Sequence, residues 1–230
     1  KELNGLGAHV ILLGRSLDKL SEAASQINST GGSSSVYACD VSKEDSLAQA
    51  AQKIFAAHSN VDILVTCAAA PAAGGKFEES TLDEWRSLLA TDLDGVYLAC
   101  RIFGKSMIEQ AYGRIVNLTS FHNIATYPYR TGYNAAKSGV EGLSRALAVE
   151  WGQYGIRVNN IVPGYTATPM NIKSWNDKKL RKMRSEQTVL KRWAKPEEMV
   201  GPTIFLASDA SSYITGIDLV VDGGWLAKGI

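Results

Sequence analysis

Short apolar runs of strand length recur along the chain, at residues 9–13, 35–39, 62–66, 114–118, 157–162 and 218–221. They are apolar throughout rather than alternating, as strands covered on both faces require. Between them the apolar positions fall at helical spacing. After Ser16, Leu17, Leu20, Ala24 and Ile27 share one face; after Ser42, read as an N-cap, so do Leu47, Ala50, Ala51, Ile54 and Phe55. Thr81-Leu-Asp-Glu84 has the spacing of a capping box and is followed by Trp85, Leu88 and Leu89. This alternation predicts right-handed βαβ units and one open, doubly wound parallel sheet in a single α/β domain over residues 1–230.

Glycine placement refines the picture. A dinucleotide-binding glycine loop follows a strand and opens a helix, so that helix N-terminal amides face the pyrophosphate. Gly5 and Gly7 do the reverse, following the helical fragment 1–4 and preceding the run 9–13, and therefore read as a helix C-cap. Gly74-Gly75-Lys76 lacks the remaining phosphate-loop spacing and reads as a loop. The expectation is that the first strand and the true phosphate loop lie upstream of Lys1, roughly two dozen residues by the length of a strand, loop and helix start.

Composition adds mostly exclusions. Hydrophobic residues make up 45% and charged residues 20% of 230, and the formal net charge of +1 gives no reason to expect nucleic acid or a membrane as partner. Cys39, Cys67 and Cys100 are too widely spaced for a zinc site or a disulfide frame; they read as small core residues in a reducing, cytoplasmic setting. No run is long enough to span a bilayer. Asn28-Ser-Thr and Asn117-Leu-Thr match the glycosylation pattern by chance, the second inside an apolar strand.

Candidate chemistry gathers at strand ends. Tyr133-Asn-Ala-Ala-Lys137 places a phenol and an ammonium on one helix face, where the cation favours phenolate and lowers the Tyr pKa, as a general acid/base needs. Taken alone, the pair is more readily a surface feature. Ser120 follows the run 114–118, and Pro163-Gly164, Thr166 and Thr168 follow the run 157–162, both at carboxyl edges where open α/β sheets bind ligands.

Together, "NLTS", "YNAAK", "RVNNIVPGYTATPM" and "SSYITGIDLVVDGG", in this order and spacing, closely resemble the short-chain dehydrogenase/reductase family over essentially the whole chain. The resemblance implies a Rossmann fold, a nicotinamide cofactor and hydride transfer between it and a small carbonyl or alcohol substrate. It implies Tyr133 as catalytic acid/base, Ser120 as hydrogen-bond partner of the substrate oxygen, and Lys137 as the group that lowers the Tyr pKa and binds the nicotinamide ribose. Asp40 and Val41 match positions that contact adenine, Cys67 and Ala68 lie in the cofactor-binding segment after the third run, and 163–168 match the segment that holds nicotinamide. The C-terminal segment resembles those that pack in family homotetramers or homodimers. Gly14-Arg15-Ser16 replaces the acidic residue of NAD-specific units with a guanidinium suited to a 2′-phosphate, which favours NADP(H) over NAD(H). The other reading of Arg15 is a solvated residue opening the next helix.

Two departures qualify the resemblance. Thr66-Cys67-Ala68-Ala69 stands where the family has Asn-Asn-Ala-Gly, removing an amide that braces the central strands. Asp92 stands where the fourth catalytic member is Asn; it either takes that role beside Lys137 or caps or kinks the helix near Gly95. An enoyl-thioester reductase, or a low-activity NADP-binding scaffold or regulatory protein, are the alternatives to a carbonyl reductase or alcohol dehydrogenase. From Lys173 to Lys195 nine Lys or Arg stand against two acids, either a solvated lid or a surface for an anionic substrate. His122 is read as a substrate contact or a packing residue, and Tyr127 and Tyr129 as cleft wall.

Overall fold

The computed structural model describes residues 2–70 and 74–228. Helix α1 (Glu2–Gly5) leads into strand β1 (His9–Gly14), with Gly7 at φ 89° making the turn between them, as the C-cap reading expects. Then follow α2 (Leu17–Asn28), β2 (Ser33–Ala38), α3 (Glu44–Ala57), β3 (Ile63–Thr66), α4 (Leu82–Leu89) and α5 (Gly95–Glu109). The remainder is β4 (Gly113–Leu118), α6 (Thr131–Trp151), β5 (Ile156–Pro163), α7 (Ile172–Asn176), α8 (Lys178–Gln187), α9 (Val200–Ala207) and β6 (Asp218–Val221). Each apolar run of the sequence is a strand, displaced by at most two residues at its ends.

All pairings are parallel, and the fold is Rossmann-like, but the described strands form two sheets rather than the expected one. β1 pairs with β2, and β3, β4, β5 and β6 follow one another in a second sheet; β1 and β3 each keep one edge without a strand partner among the described residues. Both sheets lean on the same helices. Ile11 and Leu13 of β1, Tyr37 of β2 and Leu64 of β3 pack against Leu47, Ala50 and Ile54 of α3 and Leu98 and Phe103 of α5. A second cluster joins Val116 and Ile161 to Leu206 and Ala207 of α9 and to Leu3 of α1. Full burial of each large aliphatic side chain contributes about 1.5–3 kcal/mol.

Thr81 forms the expected capping box with Glu84. Ser42 is not the cap of α3: Lys43 holds that position, and the Ser42 hydroxyl instead donates to Asp40 Oδ1 at 2.7 Å. The Ser42 amide donates to the same Asp40 oxygen at 3.1 Å, so Asp40 closes an Asx turn that holds Ser42 ahead of the helix.

A polar ladder braces the central strands. Thr66 Oγ1 donates to Asn117 Oδ1 (2.7 Å), Asn117 Nδ2 to Ser144 Oγ (2.9 Å), Ser144 Oγ to Asn160 Oδ1 (2.7 Å) and Asn160 Nδ2 to Asp218 Oδ1 (2.6 Å). This chain of partners crosses β3, β4, α6, β5 and β6, and Asn117, Ser144 and Asn160 are wholly buried, so none is available as a glycosylation acceptor or solvent contact.

Among the described residues no helix is long and apolar enough to cross a membrane, and no cluster of three or more metal-ligating side chains occurs.

Candidate active site

The first two turns of α6 carry Tyr133 and Lys137, and the carboxyl end of β4 carries Ser120. The backbone of Ser120 is extended, and its side chain accepts from the His122 amide at 3.3 Å, which fixes the hydroxyl at the start of the 3₁₀ turn Phe121–Asn123. From there the Ser120 hydroxyl faces the Tyr133 phenol and favours its ionised form. Lys137, only 3% exposed, donates to the Leu118 carbonyl at 3.3 Å, with its ammonium 5.8 Å from the Tyr133 ring centre.

Behind Lys137 stands Asp92, fully buried in a π-helical turn, Ala90–Asp94, that joins α4 to α5. Its Oδ1 accepts from the Ala70 amide at 2.6 Å, and its Oδ2 lies 3.6 Å from Lys137 Nζ, an ion pair slightly longer than a hydrogen bond. Asp92 thus sits in a helix irregularity and beside Lys137. The turn ends at Gly95, where an added Cβ meets Val41 Cγ2 at 3.0 Å; Val41 is thus held against α5.

Electrostatics differ from the sequence expectation at Tyr133. Burial pushes its phenol up from the ordinary value, Asp92 adds to this, and the Ser120 hydrogen bond and the Arg130 charge oppose it. Lys137 is not among the groups that shift it. Burial lowers Lys137 itself, against the charge and contact of Asp92 and a smaller effect of Cys67.

The residues assigned to the cofactor lie along the carboxyl edges. Arg15 is exposed immediately after β1, and its charge helps to lower Asp40, whose carboxylate is held chiefly by the Ser42 side chain and amide. Ser16 caps α2 through Lys19 N at 3.5 Å. Cys67 and Ala68 follow β3 and are exposed, so Cys67 is not the core residue expected; it sits beyond the strand end, whereas Cys39 and Cys100 are buried. Gly164 donates to Val221 O at 3.0 Å, Thr166 bridges to Ala194, and Thr168 precedes the 3₁₀ turn Pro169–Asn171. A guanidinium and a hydroxyl at the end of β1, an ammonium beside Tyr133 and two threonines after β5 are donors of the kind a nicotinamide dinucleotide needs.

Beside this row Phe121, Val162, Tyr165 and Trp193 form an aromatic cluster with Tyr127, Trp175 and Trp225. His122 stacks edge-on to Tyr127 (5.3 Å) and Tyr133 (6.1 Å). Burial, with the Arg130 and Arg184 charges, lowers it to about 4, so the ring is neutral near pH 7. The basic segment divides. Its lysines are exposed, while Arg181 lies over Trp175 (4.9 Å) and Arg184 over Tyr165 (5.0 Å). Tyr127 and Tyr129 line an open depression of about 550 Å³ with Thr131 and Asn134. Two participants escaped sequence reasoning because they are backbone groups, the Leu118 carbonyl and the Ala70 amide. A third, Glu141, lies one helical turn beyond Lys137 and had a legible signal in that spacing.

Residues 1–226 match the family model described as enoyl-(acyl carrier protein) reductase. D-threitol dehydrogenase of Mycolicibacterium smegmatis is 36% identical, covering 96% of this chain and 85% of that protein. Gluconate 5-dehydrogenase of Gluconobacter oxydans is 32% identical, covering 97% and 87%. Among solved structures, a gluconate 5-dehydrogenase from Burkholderia cenocepacia in complex with NADP and tartrate superposes with a TM-score of 0.93 at 28% identity, covering 98% of this chain and 88% of that one. By motif, fold and sequence the chain belongs to the short-chain dehydrogenase/reductase family.

Proposed function

We propose that the chain is an NADP(H)-dependent oxidoreductase acting on the CH–OH or C=O group of a small polyhydroxylated substrate, a sugar alcohol or sugar acid. The observation that carries this reading is the Ser120–Tyr133 hydroxyl pair at the β4 edge, backed by Lys137 and Asp92.

The bound cofactor supplies or accepts the hydride. In the reducing direction negative charge develops on the carbonyl oxygen, and two hydroxyls aimed at one point meet it. Tyr133 gives its proton to that oxygen and Ser120 holds it, so a ketone becomes an alcohol; oxidation returns the proton to the phenolate. A phenol pushed upward by burial is protonated at neutral pH, which suits the donor role. Lys137 and Asp92 form the charged floor beneath the phenol. Arg15 and Ser16 meet the 2′-phosphate, Asp40 and Val41 the adenine, Cys67 and Ala68 the middle of the cofactor, and Pro163, Gly164, Thr166 and Thr168 the nicotinamide. The substrate class is supported by the names of the relatives and by Arg181 and Arg184, which face the aromatic cluster and suit an anionic end group. The chain assembles as a homotetramer or homodimer, which light scattering tests.

The test is a turnover screen with NADPH, NADH and their oxidised forms against polyols, sugar acids, 3-oxoacyl and enoyl thioesters. Turnover of a polyol or sugar acid that Tyr133→Phe abolishes supports the reading. Turnover of enoyl thioesters alone supports the alternative reductase, and tight NADPH binding without turnover of any substrate supports a scaffold.

A further inference from the structure

We propose that Glu141 is a positioning residue that locks the Ser120 loop onto the helix bearing Tyr133 and so sets the distance between the two reacting hydroxyls. This inference rests on the oxidoreductase reading above for its functional meaning, but its geometry stands without it.

Glu141 lies on α6 one turn past Lys137 and two past Tyr133, and is 8% exposed. A carboxylate at such a site needs partners, and its partners are the two residues flanking the Ser120 turn. Asn123 Nδ2 donates to Glu141 Oε1, and Thr119 Oγ1 lies 3.4 Å from the same oxygen. Asn123 also donates its amide to the Ser120 carbonyl at 3.2 Å, and Thr119 donates its amide to the Ile161 carbonyl at 2.9 Å. Ser120 is therefore bracketed by two residues that one carboxylate fastens to α6. The other Asn123 amide atom, Oδ1, is buried without a hydrogen-bond partner, so among the described residues the Glu141 contact is the side chain's hydrogen bond. Burial and the Asp218 charge hold the Glu141 carboxyl above the usual range, opposed by the Asn123 contact, the Arg145 charge and the Thr119 contact. The clamp needs an acceptor at this point, not a charge.

The acceptor argument gives the test. Glu141→Ala, Glu141→Gln, Asn123→Ala and Thr119→Val are compared by kcat, by cofactor KM and by ultraviolet titration of the Tyr133 phenol, taken as the difference from Tyr133→Phe. Glu141→Ala is expected to lower kcat about tenfold or more with little change in cofactor KM. Its Tyr133 titration moves upward, because the hydrogen bond from Ser120 that favours phenolate is lost. Glu141→Gln, which keeps the acceptor, recovers most of both effects. Asn123→Ala and Glu141→Ala are non-additive, since they cut the same link. If Glu141→Ala does not fold, Asn123→Ala and Thr119→Val carry the same expectations. A loss of melting temperature with kcat and the phenol titration unchanged overturns the proposal, as does a Glu141→Gln variant no better than Glu141→Ala. The phenol titration needs no substrate, so failure of the oxidoreductase reading shows as absent wild-type turnover with the titration shift intact.

Discussion

Asp92 Oδ2 lies 3.6 Å from Lys137 Nζ with both side chains almost wholly removed from solvent, so the ammonium beneath Tyr133 is neutralised by its own neighbour. A buried pair of this kind is strongly interdependent.

Asp92→Asn separates the two effects. Losing the negative charge removes a contribution that raises the phenol, so the Tyr133 titration and the acid limb of the oxidation rate profile are expected to move to lower pH. The same change leaves a buried ammonium uncompensated and lowers stability by about 3 kcal/mol, read by urea unfolding at pH 7. An upward move of the phenol titration contradicts the electrostatic account.

Arg15→Ala is expected to weaken NADPH about 10–100-fold while leaving NADH nearly unchanged, the loss of one charged contact to the 2′-phosphate. Fluorescence titration with both cofactors measures it. Equal weakening of the two means that Arg15 merely opens α2.

His122 makes stability depend on pH. Its folded value near 4 lies below the unfolded 6.5, so the unfolded chain binds more protons between these limits. The stabilisation is therefore fully present above pH 6.5 and is lost progressively as pH falls toward 4, by about 3 kcal/mol at most. Desolvation of exposed His9 acts in the same direction. Urea midpoints of His122→Phe between pH 7 and 4 are expected to fall less steeply than those of the wild type; parallel curves refute this.

Gly95→Ala drives a methyl group to 3.0 Å from Val41 Cγ2 and 3.2 Å from the Val41 carbonyl. An overpacking cost of about 1–3 kcal/mol follows. Adding Val41→Ala relieves the side-chain contact but not the carbonyl contact, so rescue is partial in a double-mutant cycle.

The strands and the juxtaposition of Tyr133 with Lys137 were legible because both depend on local spacing. Apolar runs of four to six residues leave few alternatives to buried parallel strands, and a Tyr and Lys four apart share a helix face wherever that helix packs. Legibility ended where long-range contacts decide. Ser42 had a rival partner in Asp40 that a capping rule does not weigh. The Tyr133 shift depends on burial and on Asp92, a residue 41 positions away in sequence, and spacing alone credited Lys137 with lowering it. The lost amide brace after β3 looked like a weakness, yet Thr66 reaches Asn117 across the sheet and the ladder continues to Asp218. The nine cations of 173–195 were indistinguishable until the fold turned Arg181 and Arg184 toward aromatic rings.

The π-helical turn at Ala90–Asp94 bears on how this chain tolerates length change. Insertions and deletions usually settle in loops, where the flanking elements keep their orientation. Here the turn lies inside a continuous run of helix from Leu82 to Glu109, and it holds the one extra residue that sets the phase between α4 and α5. Removing that residue would let the turn close into regular α-helix, so that Val96, Cys100, Phe103 and Met107 keep their places in the core. What changes is the turn itself, where Asp92 meets Lys137. A one-residue deletion in this stretch is therefore felt at the site rather than in the packing, although it looks in sequence like any other stretch of helix.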